Sequence, residues 1–301
     1  MSPLVLKRIA LALVVALVAW GGLFLYGRTR RDDAGRLALP HLTSAQVTEI
    51  AFRKSQDTLL LARQGTGWTV NGFTAHAQTV ETFIGALEDS SSRSEFVAQS
   101  PSSHQRLGVD SSSGRRLTIT AAGKSVLDLW IGNRGPDFEG FYVRPVGSDV
   151  VYLLRGRFAE QTVQRVPEWR EKQVASVNAD SIGKLEVVRG KSHWSLSRTA
   201  TGWALDKGPA DSAKVARYLA QFGGLRAQGF PEPEELDSIH FEAPSRKLTV
   251  SSRSGTPLLA LVFDSTHAGS FWVRVGNDGA IYRFDPRTAD LVAPAESTLK
   301  K

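Results

Sequence analysis

The chain has 301 residues, room for two ordinary domains, and its 42% hydrophobic and 22% charged content excludes global disorder. With no cysteine it has no disulfide, thiolate metal site, cysteine nucleophile or lipidated cysteine. Of its net charge of +7, +4 falls within residues 1–36, and the rest shows no basic stripe with interleaved aromatics, which makes nucleic acid a poor partner.

Lys7 and Arg8 open the chain, and residues 1–8 are expected to be cytoplasmic. Ile9–Tyr26 then runs without a charge. Eighteen helical residues span roughly 27 Å, close to the thickness of a hydrocarbon core. The run is longer than a signal-peptide core, and no small-x-small cleavage site follows it before Arg28. The expectation is an uncleaved, single-pass transmembrane helix over 9–26 that contacts membrane lipid, with a basic, polar linker over 27–40. Arg28, Arg30 and Arg31 outnumber Lys7 and Arg8, but flanking charge sets orientation weakly when a long domain follows.

The remainder reads as one unit written twice. The first repeat, 41–157, opens with the alternating segments VTEIAF and TLLLAR, a Gly-bearing turn and a strand led by Trp68. A helix over Thr74–Asp89 follows, with Val80, Phe83, Ile84 and Leu87 on one stripe. Four strands come next: RRLTITA, SVLDLWIG, GFYVRPV and DVVYLLR. The serine clusters at 90–94 and 111–113 read as loops. Residues 158–177 are expected to connect the repeats through a short helix and an extended link.

In the second repeat, 178–292, Ile182 and Leu185 answer Val47 and Ile50, and Trp203 answers Trp68, at an offset of 135. The helix over Ala210–Phe222 repeats the stripe as Val215, Tyr218, Leu219 and Phe222. Strands RKLTVSS, PLLALVFD, SFWVRVG and AIYRFD close the copy. A polar tail, 293–301, is expected to fray. The order of elements predicts an α+β fold: two tandem copies of a mostly antiparallel sheet, each with one packed helix.

Chemistry-bearing patterns are sparse. Neither a phosphate-cradling glycine loop nor a G-x-S-x-G elbow occurs, and the six histidines have no i, i+2 or i+4 partner. Asp137 and Glu139, and separately Glu232, Glu234, Glu235 and Asp237, read as solvated loops, the latter group capping a helical turn after Pro233. Trp68 and Trp203 could stack on a sugar or a partner chain, or pack beneath their hairpins. Arg144 and Arg274, repeated in a matched strand, could bind an anion or pair on the sheet. These four are the candidate binding residues. No catalytic residue, metal or cofactor is expected.

A further set of motifs gives a resemblance. An I-x-x-[IL]-x-[IFV] strand, Gly67-Trp68, an amphipathic helix, Arg106-Leu107-Gly108-Val109, Phe141–Arg144 and Val151–Leu154 occur in order behind the apolar helix. Together they resemble the domain-of-unknown-function family 4340, over roughly residues 1–290. The second copy departs at Ile239-His240-Phe241, where the R-L-G turn is lost. The resemblance implies a bacterial inner-membrane protein with a periplasmic or extracytoplasmic domain, encoded near ABC transporters of the gliding-motility type, and it assigns no catalytic residues. The expected function is a non-enzymatic adapter that contacts ABC transporter membrane subunits. The alternative is a periplasmic module that binds glycan, peptidoglycan or lipid.

Overall fold

The structure is a computed structural model. It describes residues 36–300 apart from 56, 90, 91, 207, 266–268 and 277–279. The expected membrane span at 9–26, the segment 1–8 and most of the linker lie outside the described residues. Among the described residues, no helix is long and apolar enough to cross a membrane. The chain divides into two compact units, 1–171 and 172–301.

The first unit follows the order β1 (Val47–Lys54), β2 (Asp57–Gln64), β3 (Gly67–Val70), β4 (Phe73–Thr74), α1 (Ala77–Gly85), β5 (Arg93–Ala98) and α2 (His104–Leu107). It continues with β6 (Arg115–Ala121), β7 (Lys124–Arg134), β8 (Phe141–Pro145), β9 (Val151–Arg155), α3 (Arg157–Gln161) and α4 (Val166–Trp169). All nine strands form one antiparallel sheet in the order β4-β3-β2-β1-β6-β7-β8-β9-β5. Period-two patterning sets the faces: Leu117, Ile119 and Ala121 of β6 are buried, while Arg116, Thr118 and Thr120 between them are half-buried. Asn71 and Gly72 join β3 to β4 with φ of +48° and +85°, the positive values that a two-residue hairpin of this hand requires.

Helix α1 lays Val80, Phe83 and Ile84 on the sheet. It begins later than its periodicity predicts, because Thr74 stays in β4 and Ala75 bridges to Arg170. The segment expected to connect the repeats instead closes this unit. Its apolar residues Phe158 and Trp169 are fully buried against α1, and the Trp169 carbonyl accepts the His76 N–H at 2.8 Å. Strand β5 also overturns an expectation, since Arg93 and Ser94 pair with Arg155 and Leu154 instead of sitting in a serine loop. On the opposite face, Leu107, Val109 and Val151 form a small cluster with Trp130 and Tyr142.

The second unit contains β10 (Gln173–Ala175), β11 (Ile182–Arg189), β12 (Ser192–Thr199), β13 (Gly202–Leu205), β14 (Gly208–Pro209), α5 (Ser212–Ala220) and β15 (Leu225–Arg226). Then come β16 (Arg246–Ser252), β17 (Pro257–Ser265), β18 (Phe271–Val275), β19 (Ile281–Phe284) and α6 (Pro286–Val292). Its eight-stranded sheet runs β14-β13-β12-β11-β16-β17-β18-β19, all antiparallel, which repeats the first eight positions of the other sheet. β10 and β15 form a separate pair. The counterpart of β5 shrinks to a single bridge, Gly229 to Arg283. Pro231 and Pro233 follow immediately and have no N–H to continue a ladder.

The described part of the tail, 293–300, is not frayed as its polar composition predicted, because it carries apolar anchors. Ala293 and Leu299 are buried, the Asp211 N–H donates to the Leu299 carbonyl, and Ala210 bridges to Lys300. These contacts reproduce, 130 to 135 positions later, the Ala75–Arg170 bridge and the His76–Trp169 hydrogen bond. The repeat therefore runs through residue 170 in the first unit and residue 300 in the second.

One matched position offers a test of pH dependence. The Asn71 carboxamide accepts the Leu60 N–H at 2.7 Å, and the Asp206 carboxylate accepts the equivalent Ser195 N–H at 2.9 Å. The Ser195 hydroxyl also donates to Asp206 and is the main reason that carboxyl lies below its usual value of 3.8. The folded pKa is depressed, so this stabilisation is complete above about 3.8 and is lost as pH falls through the lower folded value. Asp206→Asn, which copies the first unit, is expected to flatten the acid limb of the second unit's urea midpoint against pH. An unchanged limb refutes the assignment.

Candidate functional site

The four residues singled out in the sequence occupy two kinds of place. Trp68 is buried in the first core, and Trp203 is half-buried against the second. Each lies directly across its hairpin from an arginine, Arg63 or Arg198, whose guanidinium carbon sits 5.4 or 5.5 Å from the ring centroid. Both arginines also donate to a backbone carbonyl, Ser44 at 2.7 Å and Asp180 at 3.3 Å. The tryptophans thus serve as platforms for a cation from their own unit.

Arg144 donates to the Val109 carbonyl at 3.0 Å and the Ser148 carbonyl at 2.8 Å, holding the α2 turn against β8. Arg274 lies 4.7 Å from the Phe241 ring centroid instead, and its buried Nε has no hydrogen-bond partner among the described residues. The strand register explains the divergence. Gly132 and Asp264 occupy equivalent positions, two residues beyond the partners of Arg144 and Arg274. A Cβ at Gly132 would lie 2.3 Å from the Leu107 carbonyl oxygen, so the R-L-G turn fits only over glycine. In the second unit the Asp264 carboxylate occupies that space and accepts the His240 N–H at 2.9 Å.

A third arginine pair, Arg115 and Arg246, escaped the sequence reading. Arg115 stands 4.6 Å from the Phe52 centroid and donates to the Thr162 and Gln164 carbonyls at 2.8 and 3.2 Å. Arg246, 7% exposed, stands 4.5 Å from the Phe271 centroid and donates to Asp290 at 2.7 Å. Burial lowers the pKa of both, and each ties the closing segment of its unit to the sheet. Alignment of RRLTITA with RKLTVSS carried this signal. Arg63 and Arg198 were likewise visible at the offset of 135.

Of the acidic groupings, the second caps its turn as the sequence suggested, whereas the first is drawn into an ion pair. Asp137 pairs with Arg155 at 2.9 Å, and Glu232 and Glu235 form a reciprocal cap on the turn Pro233–Ser238. Among the described residues, no group of three or more His, Asp and Glu side chains could hold a metal ion. His76 and His104 bond to Thr79 Oγ1 at 2.9 Å and to the Asp149 carbonyl at 3.0 Å.

The second unit contains a cavity of about 260 Å³ between α5 and the closing segment. Tyr218, Leu291, Pro294 and Leu299 supply apolar walls, and Lys214 and Arg217 of α5 and Gln221 just beyond it complete the lining. The Tyr218 hydroxyl donates to the Val292 carbonyl at 3.0 Å, and complete burial raises its pKa, so the wall stays uncharged. Asp290, also in the lining, is shared by Arg189 at 3.0 Å and Arg246 at 2.7 Å.

The profile of one family, Domain of unknown function (DUF4340), matches residues 68–244, more than half of the chain. The chain belongs to the DUF4340 family. The DUF4340 match begins at Trp68 and ends in the loop before β16, so it takes in parts of both compact units. No curated protein and no solved structure gave a match.

Proposed function

We propose that this chain is a non-enzymatic, membrane-anchored envelope protein that acts as an accessory or adapter subunit of an ABC-type transport system. The observation that carries the proposal is the use made of the repeated polar residues. Arg63, Arg115 and Arg144, with Arg198 and Arg246, are committed to aromatic rings, backbone carbonyls or Asp290 of their own units. What duplication has preserved is thus a framework that presents surface. The uncharged run Ile9–Tyr26 supports attachment to the inner membrane by a single pass. A long domain after one span supports a periplasmic placement despite the flanking arginines. With a single span the chain forms no transport path alone, so the partner supplies the path and the energy.

The test is photocrosslinking in intact membranes, followed by detergent purification of the full-length protein. Transporter membrane subunits are expected to co-purify in stoichiometric amount, and deletion of residues 1–26 is expected to move the protein out of the membrane fraction. Recovery with cell-wall material and without transporter subunits replaces the adapter function by glycan binding.

A further inference from the structure

The two large sheets have four edge strands among the described residues, and three of them are closed. β4 and β14 are only two residues long, and β14 ends in Pro209. β19 is capped by the bridge from Gly229, with Pro231 and Pro233 just beyond it. β5 is different. It runs for six residues, and its backbone hydrogen bonds go to β9 alone among the described residues. Its outer row of N–H and C=O groups is left for another chain, with Phe96 and Val97 both more than a third exposed.

Charge decides which chain fits. Successive strand residues alternate faces, so Arg93 and Glu95 share one face and Ser94 and Phe96 the other. Glu95 is held by Arg155 at 3.0 Å, and Arg155 also holds Asp137 at 2.9 Å. Arg93 stands directly across from Arg155 and makes no ion pair among the described residues. A second copy pairs antiparallel about a twofold axis that passes between two identical residues. Centred on Arg93 or on Glu95, that axis sets a charge against itself. Centred on Phe96 or beyond, it meets the register break between Phe96 and Ala98. Centred on Ser94, it sets Arg93 opposite Glu95 of the second copy, twice. The strand therefore selects one register with itself and rejects the neighbouring ones.

The entry of the chain into the first unit favours the same partner. The Leu37 N–H donates to Ser94 Oγ at 2.8 Å, at the centre of this edge. Leu37 and Leu39 pack on the core and leave Arg93, Glu95, Phe96 and Val97 exposed. Ten residues, 27–36, lie between this point and the uncharged run, a reach of at most about 35 Å. Two copies in one bilayer, a condition that rests on the membrane attachment proposed above, thus hold their β5 edges at high local concentration. The second unit lacks the pattern, since Ala227 and Gly229 stand at the positions of Arg93 and Glu95. We propose that the chain forms a twofold dimer in which β5 pairs antiparallel with β5 of a second copy, centred on Ser94.

The chain has no cysteine, so one introduced thiol reads the pairing. Directly opposite residues of an antiparallel pair lie about 4.5–5.5 Å apart at Cα, within disulfide reach. Full-length Ser94→Cys, oxidised with copper phenanthroline in intact membranes, is expected to give a reducible dimer of the chain. Ala200→Cys, exposed in the turn after β12, is expected to stay monomeric. Added to Ser94→Cys, Arg93→Glu sets like charges opposite each other and is expected to cut the dimer yield at least fivefold. Further addition of Glu95→Arg restores opposite charges and is expected to return the yield to within twofold, which separates pairing from misfolding. The proposal is overturned by no dimer from Ser94→Cys, by equal yield from Ala200→Cys, or by failure of the charge swap to rescue. An adduct with a different protein in place of the dimer overturns it too. Fractionation of the same samples keeps the two readings apart. Protein outside the membrane refutes the anchor and leaves the crosslink to decide the pairing, whereas membrane-bound protein that gives no dimer refutes the pairing alone.

Discussion

Trp169→Ala is expected to destabilise the first unit by about 3–5 kcal/mol, the range for deleting a fully buried large aromatic. The indole is 0% exposed and touches Phe52 and Phe83, with ring centroids 6.3 and 5.4 Å away. Its Nε1 has no hydrogen-bond partner among the described residues, so the expected loss is one of packing. Hydrogen exchange localises the effect. Protection of the α1 amides should collapse while that of the α5 amides is retained, since α5 belongs to the other compact unit. Trp169→Leu, which writes in the residue at the matched position of the second unit, should fall between wild type and alanine. Equal loss of protection in both helices, or none in α1, refutes the assignment of Trp169 as the closing residue of its own unit.

Gly132→Ala is expected to cost about 3 kcal/mol, at the upper end of overpacking penalties. The new methyl would lie 2.3 Å from the Leu107 carbonyl oxygen and 2.7 Å from Val109 Cγ1, so the α2 turn must lift off β7. Gly108, at φ +72°, caps that turn and leaves it little freedom to shift. Gly85→Ala supplies the opposite sign. No atom lies within 4 Å of a Cβ there, and the residue is helical, so about 0.5–1 kcal/mol of stabilisation should follow. Urea midpoints of the two variants settle both expectations, and a Gly132→Ala midpoint equal to wild type refutes the close approach.

Much of this architecture is legible in the sequence because the repeat doubles each signal. The stripe of Val80, Phe83 and Ile84 recurs as Val215, Tyr218 and Leu219, and both sets are buried on a sheet. Strands β6 and β16 coincide with the segments read from alternation. Elements without clean periodicity were hidden. In β5 every residue is exposed or half-buried, so neither face carries an apolar pattern to mark a strand. The closing segments were misjudged because a few anchors, Phe158 and Trp169 in one unit and Leu299 in the other, do the packing for a mostly polar stretch. The cavity had no signal in either copy alone. The match of Trp169 with Leu299 likewise requires the repeat to be traced into the segments expected as linker and tail.

The late position of those anchors bears on how the chain folds as it is synthesised. In each unit the strand and helix near residue 75 or 210 wait for a partner about 90 residues downstream, a separation that slows folding by raising the cost of loop closure. A nascent chain halted before Trp169 has emerged holds a sheet whose helix is still uncovered on one flank, with Phe83 open to solvent or to chaperones. The first unit is therefore completed only as the second begins to leave the ribosome. The second unit, whose late anchor lies at Leu299, is completed only once that residue has emerged.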